Sequence, residues 1–330
     1  MAVKRDGSPN KFDPFKELFI IVSVQLLRFE IEFPFKENAL MTFAEWLWRL
    51  ISNFGLIIRR GHSHGRLPVL AAYLRIELKR FFLVNLLGRK MTSESIFGYR
   101  IHFFNYETFA TLFEEVYIPD VYYFSSLSPE PFVIDCGSNI GMAVLYFKRL
   151  YPNCSITAFE ADDATFKVLE RNVSTNGLEH VTLVNKALYD SKGTVTFYVS
   201  PNQPGQLVQS TRKESLVTSV PKVVESEVLS DYVTRDVDFL KMDIEGAEDR
   251  VMNNLFENRK LSFIKEMVIE YHHHMTHDED KLGAFLSVME ASNVGYQIKA
   301  PLVPPFQRGE FQCLLVYAYR LNGTTEIVNS

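Results

Sequence analysis

A chain of 330 residues, 47% of them hydrophobic, has ample material for the core of one large domain or two. Its 35 lysines and arginines against 40 aspartates and glutamates leave a net charge of −5, which argues against general affinity for nucleic acid. Three cysteines, Cys136, Cys154 and Cys313, are odd in number and lack metal-ligand spacing, so they read as reduced thiols of a cytoplasmic protein.

The charge is unevenly spread: residues 1–100 carry +7 and the remainder −12. Residues 1–14 are polar, with Pro9 and Pro14 discouraging regular structure. Residues 18–27 are apolar but flanked by acids, without the cleavage site of a signal peptide. Over residues 43–58 the polar Glu45, Arg49, Ser52 and Asn53 recur at helical spacing, which predicts a helix with one narrow polar stripe and with Trp46, Trp48 and Phe54 on its apolar face. Basic residues come next (Arg59, Arg60, Arg66, Arg75, Lys79, Arg80, Arg89 and Lys90) in the company of Phe81, Phe82 and Leu86. No apolar run approaches the roughly 18 residues of a membrane span. This region is expected to be a helical cap on the larger domain C-terminal to it, with peripheral membrane contact as the second reading.

The apolar residues 132–134 lead into Asp135-Cys136-Gly137-Ser138-Asn139-Ile140-Gly141 and then into the apolar residues 142–147. That is strand, glycine turn, helix, a junction where main-chain N–H groups receive a nucleotide-like ligand. The spacing is not that of a dinucleotide fingerprint, which needs a third glycine, and Asp135 would repel a diphosphate. A carboxylate there suits a cationic head instead, such as the ammonium of S-adenosylmethionine (SAM).

A second strand over residues 155–160 ends in Glu160, placed to accept the hydroxyls of a ribose. A third, residues 181–184, brings Asn185 to Leu188 beside the adenine. A strand over 194–199 precedes a Gln/Ser/Thr-rich loop, 201–220, suited to covering an acceptor. The fourth sheet strand, 239–243, ends in acids and is followed by a helix, 247–256. The fifth, 263–271, carries Glu270 and His272-His273-His274 at its carboxyl end. Asp278 is expected to cap a helix running to Ala291, and residues 311–319 to form a hairpin with 296–303. Ligands of open α/β sheets bind outside the carboxyl ends of the strands, so Asp135, Glu160, Asp243, Glu270 and His272 should converge on one crevice.

From residue 132 to 271 the chain resembles the FkbM-type SAM-dependent methyltransferases. The resemblance rests on four ordered blocks: Val133-Ile134-Asp135-Cys136-Gly137-Ser138-Asn139-Ile140-Gly141, then Ala158-Phe159-Glu160, then Ala187-Leu188, and finally Lys241-Met242-Asp243-Ile244-Glu245-Gly246-Ala247-Glu248. Ala161 stands where the family commonly has proline. The resemblance implies a doubly wound, Rossmann-like class I α/β sheet over residues 98–322, behind an N-terminal helical region, 1–97, and before a tail, 323–330. It implies SAM held by Asp135, Gly137, Asn139, Gly141, Glu160, Ala187, Leu188 and Asp243. It also implies O-methylation of a hydroxyl on a sugar, glycan or natural product, lipid-linked acceptors included. A hydroxyl must lose a proton, and the candidates to take it are Asp243 and His272, the latter near its ordinary pKa of about 6.5. Glu270 would orient the imidazole, or join Asp243 and Glu245 around a divalent ion that the spacing does not require. An NAD-dependent oxidoreductase is disfavoured by the absent third glycine and by Asp135. A non-catalytic membrane-associated module that retains only the fold is the remaining alternative.

Overall fold

The computed structural model describes residues 43–59, 62–199, 220–274, 281–300 and 311–321. The expectations for residues 1–14, 18–27, 201–219, 301–303 and 323–330, and the cap at Asp278, lie outside the described residues. The chain divides into two compact units, residues 1–53 and 54–330. The helix expected over 43–58 forms as α1 (Phe43–Arg59), which crosses that division.

In the second unit, α2 (Arg66–Lys79) continues into a π-helical turn, Arg80–Leu86, and buries Val69, Ala72, Tyr73 and Ile76 at helical spacing. Arg80 is buried with them, and its guanidinium is matched by Glu77, Glu107 and Glu114. Strands β1 (Ser93–Ile96) and β2 (Tyr99–His102) form a hairpin whose turn residues, Phe97 and Gly98, both have left-handed backbone. The boundary expected between residues 97 and 98 therefore falls on a two-residue turn. Helix α3 (Tyr106–Tyr117) starts at Asn105, whose side chain accepts the Thr108 N–H at 2.8 Å.

The main sheet has seven strands: β3 (Phe132–Cys136), β4 (Ser155–Phe159), β5 (Val181–Val184), β9 (Val237–Met242), β10 (Ile264–His273), β11 (Val294–Lys299) and β12 (Gln312–Arg320). Their spatial order is β11-β12-β10-β9-β3-β4-β5. Five strands are parallel, and β12 enters antiparallel between β10 and β11. Strands β3 and β9 are buried at every position, as their apolar sequences require of strands covered on both faces. The order reverses between β3 and β9, so their carboxyl ends open a crevice. Helices α4 (Met142–Leu150) and α5 (Asp163–Thr175) follow β3 and β4, and α6 (Glu248–Glu257) follows β9.

Strand β5 stops at Val184, as expected; the Asn185 side-chain amide then donates to the Glu160 carbonyl at 2.9 Å, and the chain turns out of the sheet. Ala187–Tyr189 then forms β6, which pairs in parallel with β8 (Val220–Val228) in a separate three-stranded sheet with β7 (Gly193–Val199). The last helix is α7 (Leu282–Ala291).

Candidate active site

The crevice at the strand reversal is a cavity of about 320 Å³. Its floor is the turn after β3. Gly137 has φ +85°, and a Cβ there would sit 1.8 Å from the carbonyl oxygen of Asp243, so glycine is required by both conformation and space. The N–H groups of Gly137 and Ser138 both donate to the Phe159 carbonyl, at 3.0 and 2.7 Å, and the Asp243 N–H donates to the Cys136 carbonyl at 3.0 Å. The ends of β3, β4 and β9 are thus tied by main-chain bonds. Gly141, at φ +91°, starts α4 against Leu169 of α5. Asn172, buried on α5 and unremarked in the sequence, donates to the carbonyls of Ile140 and His102 and so fixes this turn from behind.

On one side of the floor stands Glu160. One carboxylate oxygen accepts the Asn139 N–H at 2.9 Å and the other the Asp162 N–H at 2.9 Å. Burial raises its pKa to about 7 despite those two donors. Ala187 and Leu188 are buried and line the same side, so the departure of β6 from the sheet leaves them at the cavity wall. Asp135 lies one layer deeper. It is fully buried, its carboxylate faces the Lys241 ammonium at 3.6 Å, and neither oxygen has a hydrogen-bond donor among the described residues. Burial raises its pKa, opposed by Lys241.

Sequence reasoning misses Lys241, although a lysine between the apolar Leu240 and Met242 of a central strand is a visible signal. Its ammonium donates to the Gly137 carbonyl at 2.6 Å and stands 3.5 Å from Asp243. Burial would lower its pKa, but Asp243 and Asp135 raise it further, so it is a fixed cation under the glycine turn. Tyr122, also unforeseen, lines the cavity and is buried; desolvation raises its pKa, so its hydroxyl stays protonated.

The other side of the cavity is acidic. Asp243, Glu245 and Glu270 all line it. Behind them, the Glu248 carboxylate accepts the Gly246 N–H at 3.0 Å and meets His272 Nδ1 at 2.8 Å, while His272 Nε2 lies 3.2 Å from Glu245. Both ring nitrogens face carboxylates. Burial alone would lower the histidine pKa, but Glu248, then Glu245 and Asp243, raise it to about 10. The flanking carboxylates thus favour the charged form of the ring and hold its pKa above the value near 6.5 expected of it. It is Glu248, and not Glu270, that hydrogen-bonds the imidazole. Glu270 instead accepts the Cys313 thiol at 2.9 Å, and Asp243 together with burial raises its pKa. The rings of His273 and His274 meet at 3.7 Å, tilted by 35°, and neither residue lines the cavity.

Donor atoms of Asp243, Glu245 and His272 lie within 4.8 Å of one another, as do those of Glu270, His272 and Cys313. Either set has metal-ligand chemistry, but in both the histidine nitrogens are already engaged by carboxylates. For SAM the fit is better. The glycine cradle and the anchored Glu160 carboxylate, with acceptor capacity to spare, suit a ligand that offers ribose hydroxyls, whereas Asp135, fully buried and outside the cavity lining, does not face the ligand's ammonium.

Comparison with known proteins points to a methyltransferase family. The family described as "Methyltransferase FkbM domain" matches residues 135–298. "Methyltransferase sdnD" of Sordaria araneosa is 30% identical over 190 residues, 48% of this chain and 73% of that protein. "Methyltransferase 1" of Beauveria bassiana (strain ARSEF 2860) is 30% identical over 179 residues, covering 48% and 71%. Among solved structures, M. jannaschii TYW2 in complex with AdoMet matches with a TM-score of 0.38 at 14% identity, covering 71% of this chain and 89% of that one. Aeropyrum pernix fibrillarin matches with a TM-score of 0.34 at 11% identity, covering 59% and 70%.

Proposed function

This chain belongs to the FkbM methyltransferase family, and from that premise we propose that it is an O-methyltransferase of a sugar, glycan or other natural product, with Asp243 and Glu270 as the pair that takes the acceptor's proton. SAM, when bound, supplies a methyl group already activated by its sulfonium. The protein's contribution is then largely alignment, which can be worth roughly 7–11 kcal/mol. Gly137, Asn139 and Gly141 admit the cofactor to the main chain, Glu160 takes the ribose hydroxyls, and Ala187 and Leu188 flank the adenine. Asp135 acts through Lys241, holding the ammonium that fixes the glycine turn against Asp243.

One observation carries the choice of base. Both nitrogens of His272 are occupied by Glu248 and Glu245, whereas Asp243 and Glu270 stand in the cavity wall. An imidazolium has no lone pair with which to take a proton. A carboxylate whose pKa is raised by a neighbouring carboxylate is a stronger base than a solvated one, which suits Glu270 to this step. Within this reading His272 is a positioning residue that holds Glu245 and the loop after Asp243. A nicotinamide reading is not supported: the turn has no third glycine and an acid underlies it.

The test is transfer of labelled methyl from SAM into extracts rich in sugars, glycans and glycosylated natural products, followed by chemical identification of the product. Label is expected in an alkali-stable methyl ether. Label in a methylamine would overturn the O-methyl assignment while leaving the family intact.

A further inference from the structure

Helix α2 and the π-helical turn that continues it are apolar on two opposite faces. The inner face, Val69, Tyr73, Ile76 and the paired Arg80, packs into the domain. The outer face carries Leu67, Leu78, Phe82, Leu86 and Leu87, which are 76%, 50%, 48%, 50% and 61% exposed. Ala71 and Leu74 continue the stripe between Leu67 and Leu78 at helical spacing. A helix lying on a domain normally turns polar side chains outward, and a contiguous exposed apolar stripe marks an interaction surface.

Charge says what kind. Residues 61–90 contain six lysines and arginines and one acid, Glu77, which is buried on the inner face. Lys79 pairs with Glu94, and Arg80 with Glu77, Glu107 and Glu114. Arg66, Arg75, Arg89 and Lys90 are exposed beside the stripe. Apolar side chains rimmed by cations are what association with an anionic bilayer surface needs. A second copy of the chain would bring the same cations against these, with no acid on the face to receive them. Among the described residues no helix is long and apolar enough to cross a membrane, so contact here is peripheral.

We propose that the outer face of α2 and its π-helical extension, centred on Leu78 and Phe82, seats the protein on an anionic lipid surface. The peripheral contact read for the N-terminal region as a whole is thereby narrowed to one face of α2 and its extension, and it is independent of the methyl-transfer reading.

Flotation of the full chain with phosphatidylcholine vesicles, and with vesicles also containing phosphatidylserine, tests it. The wild type should float with the mixed vesicles and much less with phosphatidylcholine alone, and recovery should fall as salt rises. L78E/F82E and R89E/K90E should each lower the partition by about tenfold or more, with melting temperature and S-adenosylhomocysteine binding unchanged. Three results would overturn the proposal: no flotation of the wild type, flotation that both double variants retain in full, or light scattering that shows a wild-type dimer made monomeric by L78E/F82E.

Discussion

Glu248 and His272 meet at 2.8 Å inside the protein, and the same Glu248 oxygen accepts the N–H of Gly246. One carboxylate therefore fixes both the loop that follows Asp243 and the charge of the ring that faces it. The consequence for catalysis is that the base is sought elsewhere. Glu270→Gln should lower kcat by about 10²–10⁴, the range of a general base, with little change in S-adenosylhomocysteine affinity. His272→Gln should cost less than Glu270→Gln. If His272→Gln is the more damaging of the two in steady-state kinetics, the histidine is the base after all.

Removing the carboxylate that holds this ring should also be felt in folding. A buried charge pair is costly to break from one side, about 3–5 kcal/mol, because the partner is left behind. Glu248→Ala should therefore lose stability on that scale in urea unfolding, with the loop at Gly246 also released. A loss below about 1 kcal/mol, the scale of an exposed pair, would mean that solvent reaches the ring.

If Glu160 takes the ribose hydroxyls as proposed, its pKa should set the pH dependence of cofactor binding. It is raised to about 7 by burial, so the acid is largely protonated below that value and a carboxylate above it. Only the carboxylate can accept two ribose hydroxyls. Affinity for S-adenosylhomocysteine should rise with pH, approaching tenfold per unit below about 7, and level off above about 8. Glu160→Gln should bind more weakly and without that slope. A wild-type affinity flat from about pH 6 to 8 would show that the proton stays off.

Gly137 and Gly98 offer a controlled pair. Both have positive φ, but a Cβ at Gly98 meets nothing within 4 Å, whereas at Gly137 it would lie 1.8 Å from the Asp243 carbonyl oxygen. Gly98→Ala should cost only the left-handed backbone penalty, about 1–2 kcal/mol. Gly137→Ala should cost more than that and abolish S-adenosylhomocysteine binding, because main chain has to move. Equal destabilisation of the two variants would contradict the close approach.

Much of the fold and site is legible in the sequence because it is local. Apolar runs that end in an acid or a glycine turn locate β3, β4, β9 and β10 and the residues at their carboxyl ends, Glu160, Asp243 and Glu270 among them. What escapes depends on partners distant in sequence. Lys241 takes its meaning from Asp135 on another strand and Gly137 in the turn that follows it, and the raised pKa of His272 depends on Glu245 and Glu248, which close on it from the β9–α6 loop and helix. Tyr122 lies between α3 and β3 in a segment without periodicity, so no pattern points to it. The three-stranded sheet depends on β8 reaching β6 and β7, and β8 carries Pro221 and alternates weakly in burial.

The nature of the ligand in the crevice is tested by calorimetric titration of the full-length protein with S-adenosylhomocysteine, SAM and NAD, repeated on Glu160→Ala. Both adenosyl ligands should bind, NAD should give no heat, and the variant should bind more weakly by roughly 1.5–3 kcal/mol, the scale of hydrogen bonds to a charged group. Binding of NAD with no binding of SAM or S-adenosylhomocysteine would contradict the assignment of this crevice at its root.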